Sequence, residues 1–237
     1  MAYLTATGTN ESLLGAIKIV SVKHAEAPID ATDVKVSRRD MAGSTWTVLT
    51  TFEIANVDGL TFSFLDRNVL SGHTYRYAIV PIVDEAEQTA VNVDVLCSFN
   101  SIFVYDTTGI YMASLNINYK AKKNIPVGYV QPLSSKYPHA IRNGAANYFS
   151  GSAEGIFTPY TVACVPDVTN MNAYKDTVLE MLCNGLVKTL RTYDGHGWLV
   201  YIDGEPARNT DEFIGGDTIS FNWTEVGVFP TTGVVML

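Results

Sequence analysis

Apolar and polar residues alternate through most of the chain, and the alternation gives way to a helical period once. In the first hundred residues the two-residue period recurs between turn signals about ten residues apart. Predicted strands are Gly15–Val22, Asp33–Arg38 with Val34 and Val36 inward, Thr45–Leu49, Gly59–Phe64, Thr74–Val80 and Val91–Leu96. In the third last of these, Leu60, Phe62 and Phe64 share a face. Six short strands without a helix predict a two-sheet sandwich.

The chain then changes pattern at Cys97–Asn100, which marks the expected boundary between residues 1–97 and 98–237. Strands are predicted at Ile102–Asp106 and Tyr111–Tyr119, with Lys120–Lys123 as a solvated loop. From Lys136 to Pro159 the chain is rich in Gly, Asn and Ser, and Asn143-Gly144 is a strong turn signal for a long hairpin. From Asn172 to Gly185, Tyr174, Val178, Met181 and Leu182 recur at helical spacing and form one apolar stripe. Asn170 or Asn172 can cap the helix start, and Gly185 can end it. Strands follow at Leu186–Tyr193 and Trp198–Ile202, joined by the tight loop Asp194-Gly-His-Gly197. In the last strand, Asp217–Glu225, Ile219, Phe221 and Trp223 alternate with Ser220, Asn222 and Thr224.

Composition narrows the picture. Of 237 residues, 47% are apolar, enough for a sizeable core, and only 17% are charged. With 16 Lys and Arg against 24 Asp and Glu the formal charge is −8, which disfavours a surface that binds nucleic acid by displacing counterions. No basic region followed by an apolar run opens the chain, so no secretory leader is expected, and no apolar stretch is long enough for a membrane helix. Cys97, Cys164 and Cys183 are widely spaced, which favours buried reduced thiols over a disulfide or metal site.

Chemistry is sparse. His24, His73, His139 and His196 have no metal-ligand spacing, and His196 beside Asp194 reads as a solvated hairpin tip. Ser150-Gly-Ser-Ala-Glu-Gly155 is not a nucleophile elbow. Glu154, Asp203 and Glu205 form no distinguished carboxylate pair. Cys183, beside Leu182, reads as a small core residue without a base to activate it. No catalytic, cofactor-binding or metal-ligating residue is expected, so the chain does not read as an enzyme.

Two resemblances add to this reading. The stretches "DVKVSRRDMAGSTWTVL" and "LTFSFLDRNVLSGHTYRYAIVPI" resemble a fibronectin type III domain, carried by Trp46 and by Leu70–Tyr75 leading into Tyr77. In that family a corner tyrosine, matched here by Tyr75, bonds back to the backbone and packs between the sheets. The usual proline before the corner glycine is Ser71 in this chain.

A helix followed by "LVKTLRTYDGHGWLVYIDGEP" and "DTISFNWTEVG" is similar to the tail-tube and distal-tail proteins of tailed bacteriophages, over roughly Ser98–Val226. That resemblance implies a mainly β chain: a fibronectin-like sandwich, then a split β-barrel with one helix. It also implies a virion structural protein that forms a homo-oligomeric ring, hexameric in that family, among other tail and baseplate proteins. DNA would pass through the ring without specific binding, and the chain would not insert in a membrane. The expected interface residues are Tyr137, Asn143 and Tyr148 in the long loop, and Tyr174 and Val178 on the helix. The alternative is a module that binds host-surface carbohydrate or protein through exposed tyrosines such as Tyr137, Tyr148 and Tyr160.

Overall fold

The structure is a computed structural model, and it describes residues 3–28, 30–142, 147–160, 165–167, 169–210, 216–232 and 235–236. It is mainly β with a single α-helix among the described residues. Met1–Ser101, Arg191–Gly197 and Phe229–Leu237 form one compact unit, and Ile102–Leu190 with Trp198–Val228 form the other. The first unit is therefore discontinuous in sequence, unlike the contiguous halves 1–97 and 98–237.

The first unit holds strands β1 (Leu4–Glu11), β2 (Ala16–Lys23), β3 (Asp33–Asp40), β4 (Thr47–Glu53), β5 (Phe62–Asp66), β6 (Thr74–Val83), β7 (Ala86–Glu87) and β8 (Val91–Leu96). One sheet runs β1-β2-β5 and the other β4-β3-β6, with β7 and β8 both pairing β6. The chain's last strand, Val235–Met236, adds antiparallel to β5. Val34, Val36, Ile17, Ile19 and Phe64 are all fully buried, as alternation dictates for a sheet with one wet face. Leu60 is also buried, but in a 3-10 turn at Val57–Leu60 that replaces the start of the predicted strand. Asn56 begins that turn by accepting a hydrogen bond from the Asp58 backbone.

Tyr75 is buried, and its hydroxyl accepts from the Leu70 N–H at 2.9 Å, the backward bond expected of the corner tyrosine. Burial pushes its phenol up to about 12. Trp46 is instead 41% exposed, with the Arg39 guanidinium 5.1 Å above its ring.

In the second unit come β9 (Ile102–Tyr105), β10 (Ile110–Asn124), β11 (Val127–Val130), β12 (His139–Arg142), β13 (Tyr148–Phe157), α1 (Met171–Cys183), β14 (Lys188–Arg191), β15 (Gly197–Asn209) and β16 (Thr218–Gly227). Six of these strands close a barrel in the order β10-β13-β16-β15-β14-β9, so the expected split barrel is closed. Val178, Met181 and Leu182 of α1 enter its core beside Phe157, Phe221 and Trp223.

Several local expectations change. The basic run Lys120–Lys123 is strand, not loop: β10 extends through it because its backbone pairs with β13 from Tyr148 to Ala153. β12 pairs with β11, so the loop between those two runs through residues 131–138. The expected turn at Asn143-Gly144 lies outside the described residues, as does Cys164. Asn170 precedes α1 but gives it no side-chain cap; its amide donates to Asp167 instead. Gly185 does follow the helix end at φ +73°, a conformation cheap only without a Cβ. Cys183 lies on the exposed side of α1, because it follows core-facing Leu182 by a 100° step around the helix.

Candidate functional site

The expected interface residues separate into two environments. Val178 is fully buried in the barrel core, so it packs the chain's own interior and is not a surface residue. Tyr174 is half-buried, its ring 5.4 Å from that of Tyr111, and burial pushes its phenol up to about 12. Both follow from a stripe that faces the barrel it is attached to. Tyr137 and Tyr148 are solvent-exposed, and Asn143 lies outside the described residues.

Tyr137 belongs to an arm, the β11–β12 hairpin with its connecting loop. All eight residues of the two strands are exposed. Among the described residues they pair only with one another. Tyr129, Val130 and Ile141 are each more than half exposed, and Leu133 in the loop is fully exposed. Ser135 stabilises that loop by accepting from the Tyr137 N–H and donating to the Tyr137 carbonyl. An isolated two-stranded hairpin is marginal in water, because it has no second layer on which to bury its apolar side chains.

Charge divides sharply around this arm. From Asn118 to Phe149 the chain has five Lys and Arg and no Asp or Glu, which leaves the rest of the chain at −13 against a whole-chain −8. The other cations of the barrel unit are buried or paired. Lys188 is fully buried and its ammonium lies 3.0 Å from Asp106 Oδ2, while it also donates to Asn184 Oδ1 and, at 2.8 Å, to the Leu186 carbonyl. Arg208 donates twice to Asp217, and also to Asp176 and Asn172 of α1. Lys175 is buried with its ammonium 3.9 Å from the same Asp217, and burial lowers its pKa against the opposing pull of that carboxylate. These ion pairs fasten α1 and the segment after it to β9, β15 and the start of β16.

Burial alone would raise the pKa of Asp106, but hydrogen bonds from the Thr108 hydroxyl, Asn184, the Thr108 N–H and Lys188 together hold it well below the usual carboxylate range. A carboxylate depressed in the folded state contributes stability that is present above the unfolded value of about 3.9 and is lost as pH falls through the folded one. Acid unfolding of the barrel unit between about pH 4 and pH 2 should therefore be less steep in Asp106→Asn than in wild type, with no difference in slope between pH 5 and pH 8. Far-ultraviolet circular dichroism against pH reads this directly, and superimposable acid limbs would contradict it.

The remaining candidate chemistry stays apart. His196 is exposed, 3.4 Å from Asp194 at a hairpin tip, and His73 meets Asp40 at 2.6 Å. Glu154 accepts from Thr218 and Asp203 from Thr224, so each carboxylate is held by a hydroxyl of β16. Among the described residues no cluster of His, Cys, Asp or Glu has the geometry to hold a metal ion. No described helix is long and apolar enough to cross a membrane.

Sequence reasoning missed the buried cations Lys175 and Lys188, because lysine in an amphipathic pattern reads as surface. It located Tyr137 without showing that it belongs to a separate hairpin, and it passed over Tyr129.

No protein-family model matches the chain, and no curated protein matches it. Among solved structures the chain is similar to "Titin kinase and its flanking domains", at 4% identity and a TM-score of 0.30. That match covers 94% of this chain, which spans 37% of the other. A superposition at that level transfers neither fold nor function.

Proposed function

We propose that the chain is a structural protein of a bacteriophage tail, at the distal tip, in the baseplate or associated with the tube, where several copies close into a ring. The observation that carries this reading is the arm. A hairpin exposed on every strand residue and bearing Tyr129, Leu133 and Ile141 becomes stable when a neighbouring copy covers it. Covering also removes its unpaired strand edges, a standing invitation to aggregate. A repeated head-to-tail contact of this kind closes into a ring when the rotation between copies divides a full turn, and otherwise runs on as a filament.

The rest of the molecule supports the same reading. The first unit's strand order and the Tyr75–Leu70 bond fit a fibronectin-like sandwich, and the second unit is a barrel that packs one helix into its core. In a ring, DNA passes through the lumen without specific binding, which requires a wall free of excess cation. The basic stretch from Asn118 to Phe149 therefore lies away from that wall.

A second reading, recognition of host-surface carbohydrate or protein, draws on the exposed tyrosines of the arm and on Trp46. Tyr160, expected to be exposed, is half-buried, with its hydroxyl 3.0 Å from that of Ser114. Light scattering and negative-stain imaging of the purified chain test the first reading. Rings of defined mass are expected. A protein that stays monomeric at every concentration and binds glycans overturns it in favour of recognition.

A further inference from the structure

We propose that the arm of one copy docks on a groove in the barrel unit of a second copy, with Leu133 entering the groove and Lys136 meeting Glu205. This deepens the assembly reading above and rests on it. Its first support is charge. The solvent-facing cations of the barrel unit are gathered in the stretch that contains the arm, which carries no carboxylate. The arm therefore seeks carboxylates, and the remainder of the same chain has them in excess, 24 Asp and Glu against 11 Lys and Arg.

The second support is shape. At the C-terminal end of α1 a groove of about 190 Å³ is lined by Leu182, Leu186, Ile202 and Pro206 among others. Glu205 is the one charged residue in that lining, and it is solvent-exposed. A cavity of roughly 150 Å³ with apolar walls holds a benzene-sized group, so this groove accommodates a leucine side chain. In the arm, a fully exposed leucine stands three residues before a lysine, which matches a groove of mixed lining that sets aliphatic side chains beside a single carboxylate. A phosphate-bearing surface, whether nucleic acid or lipid headgroup, would answer the charge of the arm. Duplex phosphate would leave Leu133 in water.

The second copy can be tested by a charge swap in the full chain. Lys136 and Glu205 are both exposed, so Lys136→Glu and Glu205→Lys leave the fold intact, which circular dichroism checks. Sedimentation at about 0.05 M salt, where screening is weak, reads the association. Each variant alone should associate at least roughly tenfold more weakly than wild type, because every arm then faces a groove of like charge. An equimolar mixture of the two should recover association, since each arm again finds an opposite charge on the other variant. Recovery should fade toward 1 M salt.

If wild type associates and both variants associate equally well, the arm–groove contact is overturned while the assembly reading stands. If wild type never associates, the assembly reading itself fails and the contact with it. If wild type binds duplex DNA or anionic vesicles, and Lys136→Glu abolishes that binding while Glu205→Lys does not, and the mixture recovers nothing, the arm serves a different anionic partner and the proposal is overturned.

Discussion

Replacing Asp66 with alanine should destabilise the sandwich unit by about 3–5 kcal/mol, the usual cost of removing one partner from a buried ion pair. The Asp66 side chain is fully buried and that of Arg38 nearly so. Asp66 Oδ2 accepts from the Arg38 guanidinium and, at 2.9 Å, from the Tyr77 hydroxyl, while Oδ1 accepts from the Asn68 N–H at 3.0 Å. The same guanidinium donates to the Thr231 carbonyl and lies 5.2 Å from the centre of the Tyr75 ring. One carboxylate thus organises β3, β5, β6 and the C-terminal segment within that unit.

Alanine would strand a guanidinium and a phenol without their acceptor, and desolvation makes such orphaned groups costly. Asp66→Asn, which keeps one acceptor oxygen, should lose less. Arg38→Met combined with Asp66→Leu should also lose less than Asp66→Ala alone, because no unpaired charge remains. Urea unfolding followed by signals of the sandwich unit measures all three. A loss under about 1 kcal/mol for Asp66→Ala would show that the guanidinium reaches water on its own.

That network was not legible in the sequence, and the reason is physical. Alternation identifies Val34 and Val36 as inward, and both are buried. It puts Arg38 on that same face, but it cannot show that a charge there stays buried, because the carboxylate that makes its burial tolerable is 28 residues away and the carbonyl it reaches is 193 residues away. Arg191 repeats the lesson. It is fully buried and donates to the carbonyls of Gly15 and Val69, so a hairpin whose tip is solvated, as expected, belongs to the sandwich unit. The strands and the helix stripe were legible because each element has one wet face. The 15-residue length of β10 was not, since its Lys-rich outer half is fixed by pairing with β13 and not by its own pattern. In the candidate site, the stripe around Val178 was visible, but a pattern of burial does not distinguish a face packed on its own barrel from one packed on another copy.

The barrel core supplies the other large effect, at Trp223. Its indole is fully buried, its ring centre is 5.0 Å from that of Trp198, and Trp198 in turn lies 6.2 Å from Tyr119 and 6.1 Å from Phe149. Trp223→Ala should cost about 3–5 kcal/mol, combining lost transfer energy with a cavity that strands on both sides hold open. Trp223→Phe separates packing from polarity. The indole Nε1 is buried without a hydrogen-bond partner among the described residues. A phenylalanine therefore gives up no bond and relieves a buried donor whose desolvation is worth about 1–3 kcal/mol, which offsets part of the smaller ring's lost contacts. The phenylalanine variant should stay within roughly 1–2 kcal/mol of wild type, well above the alanine variant. Both should lose the near-ultraviolet circular dichroism that arises from two coupled indoles, so the optical signal reports the ring pair while denaturation reports its energy. Equal, large losses for alanine and phenylalanine would mean that the indole N–H contributes a bond, and an unchanged midpoint for alanine would mean that the register Ile202↔Trp223 between β15 and β16 is wrong.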